Sequence, residues 1–339
     1  MDLEAMFERC KRDQWAISDL DWSGTPRPMA KADEMAIVQY FTDMAGIERL
    51  AKALFAQQAK NARDPVLRDI FRTFVADEER HAVVAERLAV YYDVHRYQKY
   101  EMSRALQRFA PSFVHLVQNV PPDIANVYVT GGEIALDMAL LRSIDDYVND
   151  AMSQAAMDRI NRDESRHLAI DYHMTEYYAS AEYAALVANE PPASWTKRAR
   201  SAMALARVVY SAAPFFRAVF FDPMQRVDPD GKRLREAFKR LQLLGEKNRE
   251  RASTLVRVLC GVQALYNESS LFRRVFGRAA ARICGIPVQL MDRFYTQEEA
   301  RRAAKMSYDD LANEALAADS FSSFSWDRPT PRPRSATCP

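Results

Sequence analysis

Between about residues 30 and 185, apolar positions recur at steps of three and four, the period of a helix with one buried face. Four long helices account for the pattern. The first covers about 32–62, and Asp64-Pro65 then supplies a cap and a first-turn proline. A second runs from about 65 to 93, a third from about 122 to 146 after Pro121-Pro122, and a fourth from about 149 to 184. Residues 94–121 form a crossover with helical material of its own. The expectation is an all-α fold: a four-helix bundle over residues 30–187 with a long crossover and an extra C-terminal helical region. Residues 1–29 read as an arm ending in the turn-rich WSGTPRP. ANEPPASW reads as a linker, 195–318 as a helical extension, and the proline-rich 319–339 as a disordered tail.

The stripes contain residues that a core does not normally accept. In the second helix the face reads Leu67, Phe71, Phe74, Glu78, His81, Ala85, Leu88. In the fourth it reads Met157, Ile160, Glu164, His167, Asp171, Met174. The strings DEERH (77–81) and DESRH (163–167) repeat 86 residues apart. The first helix puts Glu48 among Ile37, Phe41, Met44, Ala51 and Phe55. The third puts Glu133 and Asp137 among Thr130, Leu140 and Ile144. Glu48 and Glu78 lie 16 and 14 residues from the turn near Asp64; Glu133 and Glu164 lie 16 and 15 from the turn near Asn149. At about 1.5 Å per residue, each hairpin holds its two acids level at mid-height. Two such hairpins face to face gather four carboxylates and two imidazoles in one layer. Buried unpaired, those carboxylates would cost many kcal/mol or protonate. Cations remove the cost, and four O-donors with two N-donors suit two divalent iron or manganese ions.

These residues resemble the ferritin-like di-iron carboxylate superfamily, whose pattern is one Glu from each of two helices and Glu-x-x-His from the other two. The resemblance covers about residues 30–185, and the doubled D-E-x-R-H string is most similar to soluble di-iron oxygenases and relatives of the small subunit of ribonucleotide reductase. It implies Glu48, Glu78, His81, Glu133, Glu164 and His167 as metal-ligating and catalytic residues. Glu78 and Glu164 would bridge the ions. Asp77, Asp163 and Asp137 would stand behind the ligands, the first two each orienting an imidazole across the bundle. Where this family's reductase relatives carry a radical tyrosine, four residues after the first histidine, the chain has Ala85. Where aryl-amine N-oxygenases add a histidine, four before the last Glu, it has Ile160. Tyr128 sits where related ligand-binding oxidases form a crosslink, but the first-helix partner position is Ala51.

The implied function is an O2-dependent non-haem di-iron oxygenase or oxidase, a monooxygenase-type oxidoreductase that hydroxylates, desaturates or N-oxygenates a small-molecule or acyl substrate. Its cofactors would be two Fe ions (Mn or mixed Mn/Fe are compatible), O2 and an external electron donor, delivered by an electron-transfer partner because no flavin or Fe–S motif appears. Ferroxidase or iron-storage activity, a tRNA-modifying hydroxylase and a metal-free helical scaffold are the alternatives. Met44, Phe74, Ala51, Ala85, Ile134 and Met157 are candidate walls of an apolar pocket. Gly46 and Gly131-Gly132, next to the ligands, call for close helix packing or for room beside the metals. His95, His115 and His173 fall off the ligand face and read as surface or packing histidines.

Composition adds two points. The net charge of +1 hides an asymmetry: residues 195–305 hold 23 Lys and Arg against 10 Asp and Glu. That region is a solvated basic face or a docking surface for an acidic carrier protein, anionic lipid or nucleic acid, the last unfavoured because no interleaved aromatic RNA-binding pattern accompanies it. A homodimer is compatible with the sequence. Four scattered cysteines without a CxxC pair, and no signal peptide at the start, point to a cytoplasmic protein. SAMALARVVYSAAPFFRAVFF is apolar but carries Arg207 and Arg217, which favours an amphipathic over a spanning helix. No P-loop, dinucleotide fingerprint or Ser-His-Asp arrangement is present.

Overall fold

The computed structural model describes residues 1–247 and 249–317; of Asp137, Met138 and Ile283 it describes the backbone alone. The tail expected at 319–339, and Cys338 within it, lie outside the described residues. Among those described there are thirteen helices and no strand. They are α1 (Leu3–Arg12), α2 (Lys31–Asn61), α3 (Pro65–Tyr92), α4 (Arg104–Val117), α5 (Pro122–Val148), α6 (Ala151–Tyr178), α7 (Ala181–Asn189), α8 (Trp195–Val227), α9 (Lys232–Glu246), α10 (Thr254–Glu268), α11 (Ser270–Cys284), α12 (Gln297–Lys305) and α13 (Tyr308–Ala317).

The turns of the two hairpins follow from local chemistry. Asp64 accepts a hydrogen bond from Leu67 N at 2.9 Å, with Pro65 opening α3. Asn149 ends α5 in the left-handed region at φ 47°, and Asp150 caps α6 by accepting from Met152 N at 2.9 Å. The sequence reading carried the fourth helix on to about 184. The chain instead breaks at Ala179-Ser180, where the Ser180 hydroxyl starts α7 by accepting from Tyr183 N.

α2 packs along α3 and α5 along α6, while α2–α5 and α3–α6 contacts close the four into one group. The apolar stripes line its interior, with Ile37, Phe41, Phe55, Phe71, Phe74, Leu88, Met157 and Ile160 fully buried. In α5 the residues Glu133–Leu141 form a π-helix, whose wider turns shift the face presented by the second half of the helix. A regular step of three and four in the sequence gives no sign of this.

The outer helices are built onto the same core. Phe220, Met224, Leu243 and Leu311 share one buried cluster with Ile37, Leu88 and Met157. The crossover helix α4 lies between α2 and α8, with Phe109 stacked on Phe215 at 3.9 Å. Residues 1–29, expected as an arm, contain α1 packed on α3 and α6, with Cys10 fully buried. By length and composition alone, α5 and α8 could each cross a membrane. α5 is one of the four grouped helices and carries the buried Glu133.

The structure separates the two readings of the glycines. A Cβ on Gly46 would meet Met102 Sδ at 2.6 Å and Leu106 Cδ2 at 2.8 Å, so close packing against the crossover explains it. At Gly131 and Gly132 a Cβ meets nothing within 4 Å. Gly46→Ala is therefore expected to destabilise the protein by roughly 1–3 kcal/mol through overpacking. Gly131→Ala, in open helical space, is expected to stabilise it by up to about 1 kcal/mol. Denaturant midpoints of the two variants check both signs; a stabilised Gly46→Ala would contradict the packing assignment.

Candidate metal centre

The helix faces bring all six acid and imidazole side chains into the interior. His81 and His167 are fully buried, and Glu48, Glu78, Glu133 and Glu164 are buried with them. One donor atom each from Glu48, Glu78, His81 and Glu164 falls within 4.8 Å of the others. The same holds for Glu78, Glu133, Glu164 and His167. The two groups share Glu78 and Glu164, and each offers three carboxylates and one imidazole.

The atoms converge without bonding to one another. His81 Nδ1 lies 2.9 Å from Glu164 Oε1; His167 Nδ1 lies 2.8 Å from Glu164 Oε2 and 3.2 Å from Glu78 Oε1. Yet neither Nδ1, nor any carboxylate oxygen of Glu78 or Glu164, has a partner with hydrogen-bond geometry. Polar atoms buried this completely are nearly always satisfied. Donors crowded together but not aligned with each other suit a common ion between them.

Behind the imidazoles stands a second tier. His81 Nε2 is 3.0 Å from Asp163 Oδ2, and His167 Nε2 is 3.5 Å from Asp77 Oδ2. Each DE-x-RH string thus serves the histidine of the other. A proton held on Nε2 leaves the Nδ1 lone pair facing the centre. Both arginines of the strings join this tier: Arg80 bonds Asp77 and Asp163, and the fully buried Arg166 bonds the same two. The segment after α1 closes it. Trp15 Nε1 donates to Asp163 Oδ2 at 2.7 Å, Gln14 Nε2 donates to Asp77 Oδ1 at 3.1 Å, and the Arg80 guanidinium lies over the Trp15 ring. The helix pattern of the sequence assigns these four residues no role. The repetition of Arg in both strings was the available signal; nothing in the sequence of residues 1–29 marks Gln14 or Trp15.

The charges of the cluster fall into two tiers. Two aspartates against two arginines leave the outer tier neutral. The inner tier holds four glutamates, matched in sign and size by two divalent cations. In the absence of ions, protons fill part of that role. Burial alone would depress both imidazoles, but Glu164 outweighs it, aided at His81 by Asp163 and at His167 by Asp77, and both sit well above their ordinary value. Burial would likewise raise Glu164, yet His167 and His81 hold it well below the usual carboxylate range. Asp163 and Asp77 are also lowered against the pull of burial, chiefly by His81 and His167 respectively. Oxygen and nitrogen donors of these kinds suit a divalent cation.

Asp171, one helical step of four beyond His167, was on the ligand face in the sequence but was given no role. It is fully buried, and neither carboxylate oxygen has a hydrogen bond. Burial, offset by His167 and reinforced by Glu164 and Glu78, pushes its carboxyl well above the usual range. The side chain of Asp137 lies outside the described residues.

Of the candidate pocket walls, Met44, Phe74, Ala85, Ile134 and Met157 are buried, whereas Ala51 is half-exposed. Phe74 and Phe55 pack their rings on His167 at 4.1 and 5.1 Å between centroids. A narrow cleft reaches Glu48 past Tyr40, Asp43, Met44, Leu136 and Leu140, with Val219 and Pro223 of α8 on its far side. Of the predicted walls only Met44 lines it. His95 Nδ1 pairs with Glu34 at 2.6 Å, and the half-buried His173 is depressed by burial; neither joins the centre. No protein-family model, curated protein or solved structure matches the chain.

Two expectations follow from the geometry. Raised imidazole values stabilise the metal-free fold below about pH 6.5, and that contribution is lost as pH rises through them. The same protons compete with cations, so metal uptake should release protons near neutral pH and tighten from about pH 6 to pH 8. Titration of Fe(II) or Mn(II) in weak buffer with a pH indicator measures this; uptake that neither releases protons nor depends on pH would contradict it. Asp171→Asn removes a carboxyl whose raised value costs the metal-free fold stability as pH climbs from about 4. The variant is expected to exceed the parent in stability at pH 8 and to match it near pH 4, read from denaturant midpoints.

Proposed function

We propose that the chain is a ferritin-like dimetal protein that uses two iron ions, or manganese in one or both places, with dioxygen to oxidise an organic substrate. The observation that carries this reading is the pair of donor groups that overlap at Glu78 and Glu164. When bound, the ions supply redox chemistry toward dioxygen that no side chain possesses. The chain's own residues do the rest. Glu78 and Glu164 offer both carboxylate oxygens to the shared space, and Glu48 and Glu133 each complete one end. Asp163 and Asp77 hold the Nε2 protons so that His81 and His167 present Nδ1. Phe55, Phe74 and Met157 exclude water.

Inserting one oxygen atom into a C–H or N–H bond consumes O2, two electrons and two protons, and yields hydroxylated product and water. The electrons come from an external donor protein, since the chain contains no motif for a second redox group. The walls of the cleft at Glu48 are dominated by Met44, Ile47, Leu136, Leu140, Leu141, Ile144 and Val219, and its free space of about 20 Å³ suits a molecule the size of water or O2. Iron storage shares the six ligands, but α8–α13 have no part in enclosing a mineral, so the oxygenase reading is preferred.

Anaerobic purification, metal analysis and mixing of the ferrous form with O2 tests the proposal. About two metals per chain, one O2 consumed per ion pair and a transient visible absorption band are expected. Accumulation of many irons per chain as mineral would establish storage instead. Glu164→Ala, which removes a residue common to both donor groups, is expected to abolish tight loading; unchanged loading would contradict the ligand assignment.

A further inference from the structure

The outer side of α8 and α11 carries a pattern that the metal centre does not explain. Along α8, Ala204, Val208, Ala212 and Phe215 are buried and anchor the helix to the body, Phe215 against Phe109 of α4. The opposite side leaves Trp195 78% exposed, Met203 58% and Tyr210 88%. Beside them stand Arg198, Arg200 and Arg207, all exposed, and Lys197 is exposed in the first turn. α11 repeats the design, with Leu271, Val275 and Phe276 exposed beside Arg273, Arg274, Arg278 and Arg282. The two helices are neighbours: Gly285, just past α11, lies against Ala212 and Phe216 of α8. No Asp or Glu occurs from Trp195 to Phe221, nor from Ser269 to Met291. Only 39% of the most apolar stretch of α8 is buried. A core helix of that hydropathy would be largely covered.

We infer that this face docks the protein on an anionic membrane surface, with α8 and α11 lying in the plane of the interface. Helices that set Trp, Tyr, Phe and Leu among arginines, along stretches without an Asp or Glu, partition into the boundary between headgroups and acyl chains. Arginines answer the negative surface potential, and the apolar side chains enter beneath it. α8 cannot leave the body to span the bilayer without uncovering Phe109 of α4 and carrying Arg207 and Arg217 into the hydrocarbon. A second copy of the chain is disfavoured, because a two-fold axis would set arginine against arginine. An acidic protein would satisfy the charges, but apolar side chains standing this far out suit a surface that yields around them better than one that must offer a matching pocket to each. Residues outside 195–305 hold 24 Lys and Arg against 36 Asp and Glu, so the charge asymmetry of the molecule also turns the basic region toward the lipid.

Co-sedimentation of the full chain with vesicles of phosphatidylglycerol and phosphatidylcholine, and with phosphatidylcholine alone, tests the inference. Binding to the anionic vesicles and little to the neutral ones is expected. Replacing Arg207, Arg274 and Arg278 by Ala is expected to weaken it by roughly a hundredfold, at about fivefold per cationic side chain. Tyr210→Ser with Phe276→Ser should weaken it at unchanged charge. Hydrogen exchange on the unaltered chain gives a reading independent of variant folding, with vesicle-induced protection expected within 195–217 and 270–284. No binding to anionic vesicles, protection elsewhere, or binding that responds to the arginines but not to Tyr210 and Phe276 would overturn the assignment; the last result would mark electrostatic contact without insertion. Metal loading does not enter the measurement, so its outcome stands apart from that of the proposed chemistry.

Discussion

Negative charge buried in the middle of a helical bundle is the constraint on which the rest of this molecule depends. Four glutamates and Asp171 sit where leucines would give a stable core. An unpaired ionised carboxylate in such a place is among the most costly groups a fold can contain. The structure meets the difficulty in tiers. Arg80 and Arg166 neutralise Asp77 and Asp163, those aspartates fix the imidazoles, and the imidazoles face the glutamates. What is left over is a pair of donor groups with the charge and the atom types of a two-cation centre. Asp171 is a carboxyl that this scheme does not balance, and burial drives it toward its neutral form.

The cage was legible in the sequence because helices convert spacing into geometry. Steps of three and four put Glu78 with His81, and Glu164 with His167, on faces otherwise built from Phe, Met and Leu. Equal distances to the turns at Asp64 and Asn149 set their depths. The crosswise service of Asp77 and Asp163 was also readable, through the resemblance that the doubled string carries. Trp15 and Gln14 were not readable. They reach the aspartates from 148 and 63 residues away in sequence, and no periodicity links a short segment after α1 to the middle of α3 and α6.

Other features were hidden for physical reasons of their own. The π-helical segment of α5 keeps the same residue order as an α-helix and changes only how far each residue turns, so Leu136, off the face that carries Glu133 and Leu140, gave no sign that it would line a cleft to Glu48. Gly46 and the Gly131-Gly132 pair look alike in sequence, yet the first is held by the crossover and the others face open space. The basic region 195–305 was visible as charge. Its apolar side chains became informative only once the structure showed which of them remain uncovered.

Anomalous X-ray diffraction at the iron edge, from crystals grown with ferrous iron, tests the central claim most directly. Two peaks are expected inside the bundle, both within ligating distance of Glu78 and Glu164, one beside His81 and the other beside His167. Peaks confined to the surface, or an interior in which these side chains bond only to each other, would contradict it.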